Sequence, residues 1–254
     1  MDCPVRGVVV GGTVNPANPN RPYKPSQLSL GFPAKEPTLD ALLVTEANES
    51  ALAVLGAPQS WPFPVICLLG PPRCGLSVLA RAWCQEFEGS YHVAKEFSRL
   101  KSRGLAALAS GFVAVDDADR VKKSENLLTL INSATAEGGH VLLTSKHHPS
   151  QWQTQSADLK SRLMALPVIE IGEPDEKMLK ARLESAAERY FLKLEPEVIK
   201  YLVPRLELSY EAIEIFIEKL NDKVTEAGRA PSVPLAREVV EELGWADPDQ
   251  RSML

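Results

Sequence analysis

The sequence predicts a parallel α/β sheet sandwiched by helices, preceded by a disordered arm and followed by a small all-helical domain. In the middle of the chain, short apolar runs alternate with segments of helical periodicity, which is typical of a doubly wound sheet. After residue 172 helical periodicity continues without further apolar runs. We therefore expect an arm over residues 1–37, an α/β core over residues 38–172 and a helical lid domain over residues 173–254.

Composition and charge exclude several classes of protein. The chain has 254 residues, of which 44% are hydrophobic and 24% charged, as is usual for a soluble globular protein. Its net charge of −5 argues against a surface that coats nucleic acid throughout. No apolar run approaches the roughly 18 residues that span a bilayer, and there is no secretory signal, so we expect no membrane association and a cytoplasmic location. The cysteines form no C-x-x-C pair and we predict no metal site, which favours free, reduced thiols.

The predicted arm contains one short apolar cluster. Pro, Asn and Gly dominate residues 11–25, and the arm shows neither helical nor strand periodicity. The cluster is Gln27-Leu28-Ser29-Leu30-Gly31-Phe32. It is too small to build a core, but it suits a hydrophobic pocket on a partner, where the glutamine amide would fix its orientation. The alternative is that the arm folds back onto its own domain.

The first elements of the predicted core have the order that opens a phosphate-binding unit. Residues 38–55 are predicted to be helical. The apolar run at residues 65–69 predicts a strand that is buried on both faces. A loop at residues 70–75 and a helix at residues 76–87 follow it, and strand, glycine-rich loop and helix together are typical of such units.

The remaining elements follow from the same patterns. Further strands are predicted at residues 111–117, 140–145 and 166–171. A helix over residues 124–136 has Ser124 as its predicted N-cap and Gly138-Gly139 as its end. The helical domain is predicted to contain helices at residues 175–191, 195–202, 210–225 and 234–243.

The glycine-rich loop resembles the pattern G-x-x-x-x-G-K-[ST], in which amides cradle phosphates, the lysine reaches the β and γ phosphates and the hydroxyl holds Mg²⁺. Gly70, Gly75 and Ser77 stand at the required spacing, but Leu76 replaces the lysine. The amide cradle and the helix dipole survive this exchange, whereas neutralisation of a departing γ phosphate does not. Weak diphosphate binding and a turn without a ligand stay open as alternatives. The direction of Arg73 within the loop is also open.

Polar residues follow two of the predicted strands. Asp116 and Asp117 end one strand, at the place where carboxylates associated with Mg²⁺ stand in phosphate-binding folds. Thr144 ends the next strand and matches a polar sensor position. Capping of a strand end is the alternative for the two acids. Together with the glycine-rich loop, they favour a nucleotide cleft as the origin of this pattern.

Arg162 lies between two predicted elements, within Asp-Leu-Lys-Ser-Arg-Leu. An arginine presented on a structured turn can act as a finger on the triphosphate of another molecule. A surface arginine in a structural ion pair is the alternative.

In their order, these motifs resemble the DnaA-related AAA+ proteins, and among them the Hda regulators. The cluster that begins at Gln27 is similar to the peptide with which Hda proteins bind the DNA sliding clamp ahead of the AAA+ module. The chain ends after the predicted lid, without the helix-turn-helix domain that DnaA carries. The resemblance rests on residues 68–80, 112–121, 142–145, 158–166 and 233–243.

The resemblance implies an AAA+ fold of the P-loop type and a set of functional residues. Arg162 would be an arginine finger that acts in trans on ATP bound to DnaA. The residues implied at the clamp are Gln27, Leu28, Ser29, Leu30 and Phe32. Those implied at a nucleotide cleft are Gly70, Arg73, Gly75, Ser77, Asp116, Asp117 and Thr144. ADP and, with it, Mg²⁺ are the implied ligands.

Two cationic groups of the family pattern are missing. Leu76 replaces the loop lysine, and residues 206–211 lack the sensor arginine, with Arg205 only nearby. We therefore expect weakened ADP binding and no autonomous ATP hydrolysis.

The expected function is negative regulation of replication initiation. The protein would bind the sliding clamp, which is the β subunit of DNA polymerase III, and stimulate hydrolysis of ATP on DnaA. It would meet DNA only through the clamp, and a homodimer is compatible with the resemblance. The alternatives are an autonomous AAA+ ATPase and a clamp-bound scaffold that does not act on DnaA.

Overall fold

The computed structural model describes residues 38–245, in which five parallel strands form one sheet. The strands are β1 Val65–Leu69, β2 Ser90–Val93, β3 Phe112–Asp116, β4 His140–Ser145 and β5 Val168–Glu170. Their spatial order is β2-β3-β4-β1-β5, so β1 and β4 lie inside the sheet and β2 at one edge. All five residues of β1 are buried, as the continuous apolar run predicted.

Ten α-helices accompany this sheet within the described residues. They are α1 Glu49–Leu55, α2 Leu76–Glu86, α3 Ala94–Phe97, α4 Ser102–Leu108, α5 Ser124–Glu137, α6 Ala157–Ala165, α7 Glu176–Arg189, α8 Pro196–Leu202, α9 Tyr210–Ala227 and α10 Val233–Glu242. Helices α1 to α6 alternate with the strands, whereas α7 to α10 follow the last strand. We call α7 to α10 the C-terminal helices.

Alternate residues of β1 face two apolar clusters on opposite sides of the sheet. Val65, Cys67 and Leu69 belong to the cluster that contains buried residues of α5 and α6. Ile66 and Leu68 belong to the cluster that contains buried residues of α1 and α2. The sheet is therefore covered by helices on both faces. The C-terminal helices have an apolar cluster of their own.

The parallel α/β architecture and most of the predicted elements are confirmed. The ends of β1, β3, β4, β5, α2, α5 and the C-terminal helices lie within two residues of their predicted positions. Gly138 ends α5 in a left-handed conformation with φ of 76°, as expected of a helix C-cap. Ser124 is not the N-cap of α5, because the helix already begins at Ser124 and Lys123 takes the capping position.

The predicted helix over residues 38–55 is wrong over most of its length, since α1 begins only at Glu49. Side chains ahead of α1 bond to the backbone instead. The Thr45 N–H donates to Asn48 Oδ1 at 2.8 Å, and Asn48 Nδ2 donates to the Leu43 carbonyl at 2.8 Å. Such local hydrogen bonds compete with helix formation, so the segment forms a turn that ends at the start of α1.

Several elements were not predicted. β2, α3 and α4 lie in a stretch without an apolar run, and every residue of β2 is only half-buried. Arg162 was placed between two elements, but it lies in the last turn of α6. This helix begins after Ser156, whose hydroxyl accepts a hydrogen bond from the Leu159 N–H.

Residues 1–37 and 246–254 lie outside the described residues. The predicted clamp peptide, Gln27, Leu28, Ser29, Leu30 and Phe32, is among them. Between residues 38 and 245, no helix is both long and apolar enough to cross a membrane.

Asp175 is the N-cap of α7 and accepts a hydrogen bond from the Met178 N–H at 2.7 Å. Burial raises the pKa of this carboxyl, but hydrogen bonds from the Met178 N–H and the Thr45 hydroxyl outweigh that effect and hold the pKa below its usual value. The ionised cap therefore stabilises the start of α7.

Replacing Asp175 with Ala should lower the free energy of unfolding by about 1 kcal/mol at neutral pH. The folded-state pKa is depressed, so this contribution is present above the unfolded-state value of 3.8 and is lost as the pH falls through the folded-state value. Urea unfolding of both proteins over a pH series measures the difference. Asp158→Ala, in the first turn of α6, is the control and should cost less than about 0.5 kcal/mol. A pH-independent loss at Asp175 would contradict the assignment.

Candidate functional site

The loop between β1 and α2 has the backbone shape that its glycine pattern predicts. Gly75 is the N-cap of α2 and has φ of 105°, in a region that favours glycine. Arg73 also has a left-handed backbone, with φ of 65°. The first turn of α2 leaves backbone N–H groups without partners inside the helix, as a phosphate-binding loop requires.

Two side chains of the loop are buried in the core beneath it. Cys74 and Leu76 are 3% and 9% exposed, and Leu76 stands where the phosphate-binding pattern has a lysine. A Cβ atom on Gly70 would lie 2.5 Å from Cys74 Sγ and 3.3 Å from Leu76 Cδ2. A side chain at position 70 would therefore displace Cys74, and Leu76 acts as a core residue. Burial also raises the pKa of the Cys74 thiol to about 11, so this thiol is protonated at neutral pH.

Arg73 points away from the loop and toward the C-terminal helices. Its Nη1 lies 3.4 Å from Glu218 Oε1 and 3.9 Å from Glu214 Oε2, both on α9. The positive charge of this arginine is thus directed at carboxylates rather than at the amides of the loop.

A second arginine reaches the loop from the opposite direction. Arg182 on α7 donates a hydrogen bond from Nη2 to the Cys74 carbonyl. The same Nη2 would lie 2.8 Å from a Cβ atom on Gly75, so the guanidinium group lies directly against the loop. Its carbon atom Cζ lies 5.3 Å from the centre of the Tyr210 ring, on which it stacks.

The buried carboxylate of Asp116 is the centre of a partly buried hydrogen-bond cluster. Ser77 Oγ and Tyr91 Oη donate to Oδ2 at 2.7 and 2.6 Å, and Thr144 Oγ1 donates to Oδ1 at 2.5 Å. Asp116 is 6% exposed and Thr144 is fully buried. Burial and, after it, the bond to Asp116 raise the pKa of Tyr91 to about 12, so this phenol remains a donor at physiological pH.

Asp117 follows Asp116 but turns to the surface. Its backbone is left-handed with φ of 52°, and its Oδ2 lies 3.3 Å from Arg120 Nη1. Its N–H donates to the Thr144 hydroxyl at 3.1 Å. The side chain of Asp117 is therefore not part of the buried cluster.

A cavity of about 500 Å³ lies beside the loop, between the core and the C-terminal helices. Residues 41–43 and α2 line one side, and α7 and α9 line the other. Tyr210 is 2% exposed, and its hydroxyl has no hydrogen-bond partner among the described residues. Burial raises the pKa of Tyr210 to about 12.

The structure thus brings together some of the predicted cleft residues and separates others. Gly70, Gly75 and Ser77 meet Asp116 and Thr144 at the carboxyl ends of the parallel strands. Arg73 and Asp117 are turned away from this group.

Three contacts occupy groups of this loop and of the neighbouring strand end. Asp116 is engaged by three hydroxyl groups, Leu76 is buried, and the guanidinium of Arg182 lies on the loop that would hold the phosphates.

Sequence reasoning missed Arg182, which is 108 residues from its hydrogen-bond partner Cys74. The spacing of α7 contains one signal for it. Met178, four residues earlier, is buried in the cluster beneath α2 and thus shows which face of α7 meets the core. An arginine on that face must find a partner there.

Arg162 occupies a different part of the molecule. It is exposed in the last turn of α6. Leu159 and Leu163, on either side of it in sequence, are buried in the apolar cluster on the face of the sheet opposite α2. Arg162 is therefore presented to solvent by a helix that its neighbours fix to the core.

The chain matches no known family profile and no curated protein sequence. Solved structures are similar to it. Domain III of the replication initiation protein DnaA from Thermotoga maritima aligns with a TM-score of 0.64 and 16% identity, over 83% of this chain and 97% of that one. A DNA replication initiation factor aligns with a TM-score of 0.62 and 20% identity, over 74% of this chain. The RuvB Holliday junction branch migration motor of Thermotoga maritima aligns with a TM-score of 0.60 and 18% identity, over 85% of this chain and 77% of that one.

These similarities show that the chain has the AAA+ α/β fold with a helical C-terminal part. The match covers 65% of the length of the initiation factor. At these identities, the fold is what the structures share.

The Asp116 cluster yields a test of stability. Replacing Thr144 with Val should lower the free energy of unfolding by about 1–3 kcal/mol, because Asp116 loses a buried donor and the Asp117 N–H loses its acceptor. Urea denaturation measures the change. Thr129→Val is the matched control, since the Thr129 hydroxyl bonds only to the Glu125 carbonyl on the surface of α5. It should change stability by less than about 0.5 kcal/mol, and equal losses at both positions would contradict the prediction.

Proposed function

We propose that this protein is a DnaA-related negative regulator of replication initiation that does not hydrolyse ATP itself. It binds the DNA sliding clamp through residues 27–32 and stimulates hydrolysis of DnaA-bound ATP through Arg162. The observation that carries the proposal is the presentation of Arg162 on an AAA+ fold whose own phosphate-binding loop has the buried Leu76 in place of the lysine.

The surroundings of Arg162 suit a contact with another protein. Leu159 and Leu163 hold α6 against the core, so the arginine has a fixed base. No residue between 38 and 245 forms an ion pair with it. Met164, two residues further on, is 65% exposed and adds an apolar contact surface. A guanidinium group placed this way can approach a triphosphate in a neighbouring molecule and stabilise its transition-state charge.

The absence of hydrolysis in the chain itself is inferred from charge. A departing γ phosphate needs positive charge close to the loop, and Leu76 supplies none. Arg73 is paired with Glu218, and Asp117 is paired with Arg120 at the surface. The same lack of positive charge at the loop weakens ADP binding. Mg²⁺ then binds only together with a nucleotide.

The partners follow from the clamp peptide and the fold. Gln27, Leu28, Ser29, Leu30 and Phe32 are assigned to the clamp by their resemblance to the Hda peptide, and DNA is then met only through the clamp. DnaA is the partner of Arg162, and similarity to DnaA domains supports a related mode of packing. A cytoplasmic location and a homodimer are compatible with this function.

Replacing Gln27, Leu28 and Phe32 with Ala should weaken binding to purified clamp by about 100-fold or more, because two apolar anchors and an orienting amide are lost. Surface plasmon resonance with immobilised clamp measures this. The control is alanine at Val8, Val9 and Val10, which are also apolar and lie in the same predicted arm. If the variant at Gln27, Leu28 and Phe32 bound the clamp with unchanged affinity, residues 27–32 would not be the clamp-binding segment.

Arg162→Ala should abolish stimulation of DnaA ATP hydrolysis while leaving clamp binding intact, since a finger of this kind contributes roughly 1,000-fold or more to the rate. Phosphate release from ATP-loaded DnaA in the presence of clamp on DNA is the measurement. Arg162→Lys should also be defective, because lysine cannot form the planar bidentate contact. Lys160→Ala, exposed on the same helix, is the matched control.

The same assay separates the alternatives. If the Arg162→Ala variant still stimulated ATP hydrolysis by DnaA, Arg162 would have no role in the mechanism. If wild-type protein binds the clamp but DnaA does not respond, the scaffold function is correct instead. Phosphate release by the protein alone, abolished by Asp116→Asn, would show an autonomous ATPase.

A further inference from the structure

We propose that two arginines latch the core to the C-terminal helices, so that the closed arrangement of this AAA+ module does not need a nucleotide. One arginine belongs to the C-terminal helices and the other to the core. Arg182 on α7 donates a hydrogen bond to the loop of the core, and Arg73 in that loop donates one to α9. This latch is independent of clamp binding and of any action on DnaA.

The Arg182 contact is the main part of the latch. It is partly buried, it donates to the Cys74 carbonyl, and its guanidinium stacks on the ring of Tyr210. A hydrogen bond from a charged donor in a partly buried place is stronger than one between neutral groups in water. The loop gains a partner for a carbonyl, and α7 is fixed to the loop at Arg182.

The Arg73 contact runs in the opposite direction and is the weaker part. The side chains of Arg73 and Glu218 are about half exposed, and exposed ion pairs contribute little because water and salt screen them. Glu214 is less exposed and lies between Arg73 and Arg189, with 2.6 Å from Arg189 Nη2 to its Oε1. These pairs fix the position of α9 over the loop and add to the effect of Arg182.

The latch occupies groups that a phosphate chain would need. The Arg182 guanidinium lies against Gly75, and the loop offers no lysine that could compete for an incoming phosphate. A bound phosphate would have to draw Arg182 away from the Cys74 carbonyl and so release α7. The side chains of Arg182 and Arg73 thus connect the loop to α7 and α9 directly.

Hydrogen exchange of the full chain without nucleotide tests the latch. Arg182→Ala should raise the exchange rates of amides in residues 70–77 and in α7 by about tenfold, because one charge-assisted hydrogen bond between them is lost. Lys180→Ala is the matched control, since Lys180 is exposed on the same helix and should leave those rates unchanged. Unchanged exchange in Arg182→Ala would overturn the proposal.

Thermal unfolding with and without ADP and Mg²⁺ tests the same proposal on the wild-type protein and on a second variant. About 1 mM ADP should shift the Tm of the wild type by less than about 1 °C, because a ligand stabilises only in proportion to its binding. The double variant with Leu76→Lys and Arg182→Ala should recover a shift of several degrees. A clear ADP-induced rise in the wild-type Tm would show that a nucleotide still closes the module, and the latch would be wrong even if Arg162 and the clamp peptide act as proposed.

Discussion

The buried carboxylate of Asp116 is the group on which the arrangement of this site depends. A carboxylate with 6% exposure is costly unless donors surround it, and its donors come from three different elements. Ser77 belongs to α2, Tyr91 to β2 and Thr144 to β4. Satisfying one carboxylate therefore fixes α2 and the strands on both sides of β3. The parallel arrangement makes this possible, because the carboxyl ends of these strands lie at the same edge of the sheet.

The sequence predicts the parts of this site that depend on chain order and spacing. Gly70, Asp116 and Thr144 each stand at or next to the end of an apolar strand, and a parallel sheet brings such positions together whatever their exact contacts. Ser77 follows from its spacing after Gly70 in the loop pattern. Tyr91 escapes prediction because its strand lies at the sheet edge, is half-buried and lacks an apolar run. The turn before α1 escapes it because its side-chain bonds to the backbone outweigh helical periodicity. The spacing from Met178 indicates only which face of α7 carries Arg182. The hydrogen-bond partners of Arg73 and Arg182 depend on packing between residues that are far apart in sequence, which no local pattern contains.

Because Leu76 stands in the position of the lysine, the loop lacks one positive charge, but positively charged side chains still surround it. Three arginines, at positions 73, 182 and 189, lie around the loop and the adjoining helices. Their partners are a backbone carbonyl and two glutamates, all within the protein. Positive charge that would serve a phosphate in a nucleotide-binding protein is here satisfied internally. The apolar side chain of Leu76 is consistent with this, because it packs in the core cluster with Leu79 and Ile171 rather than facing solvent.

The sheet separates the loop from the helix that carries Arg162. The loop, α2 and Met178 of α7 pack in one apolar cluster, and α6 packs in the other, across the sheet. The contact between the loop and α7 belongs to the first face. Leu159 and Leu163, which hold α6 and Arg162 in place, belong to the cluster on the second face. A substitution in the loop therefore alters a different apolar cluster from the one that holds α6 and Arg162.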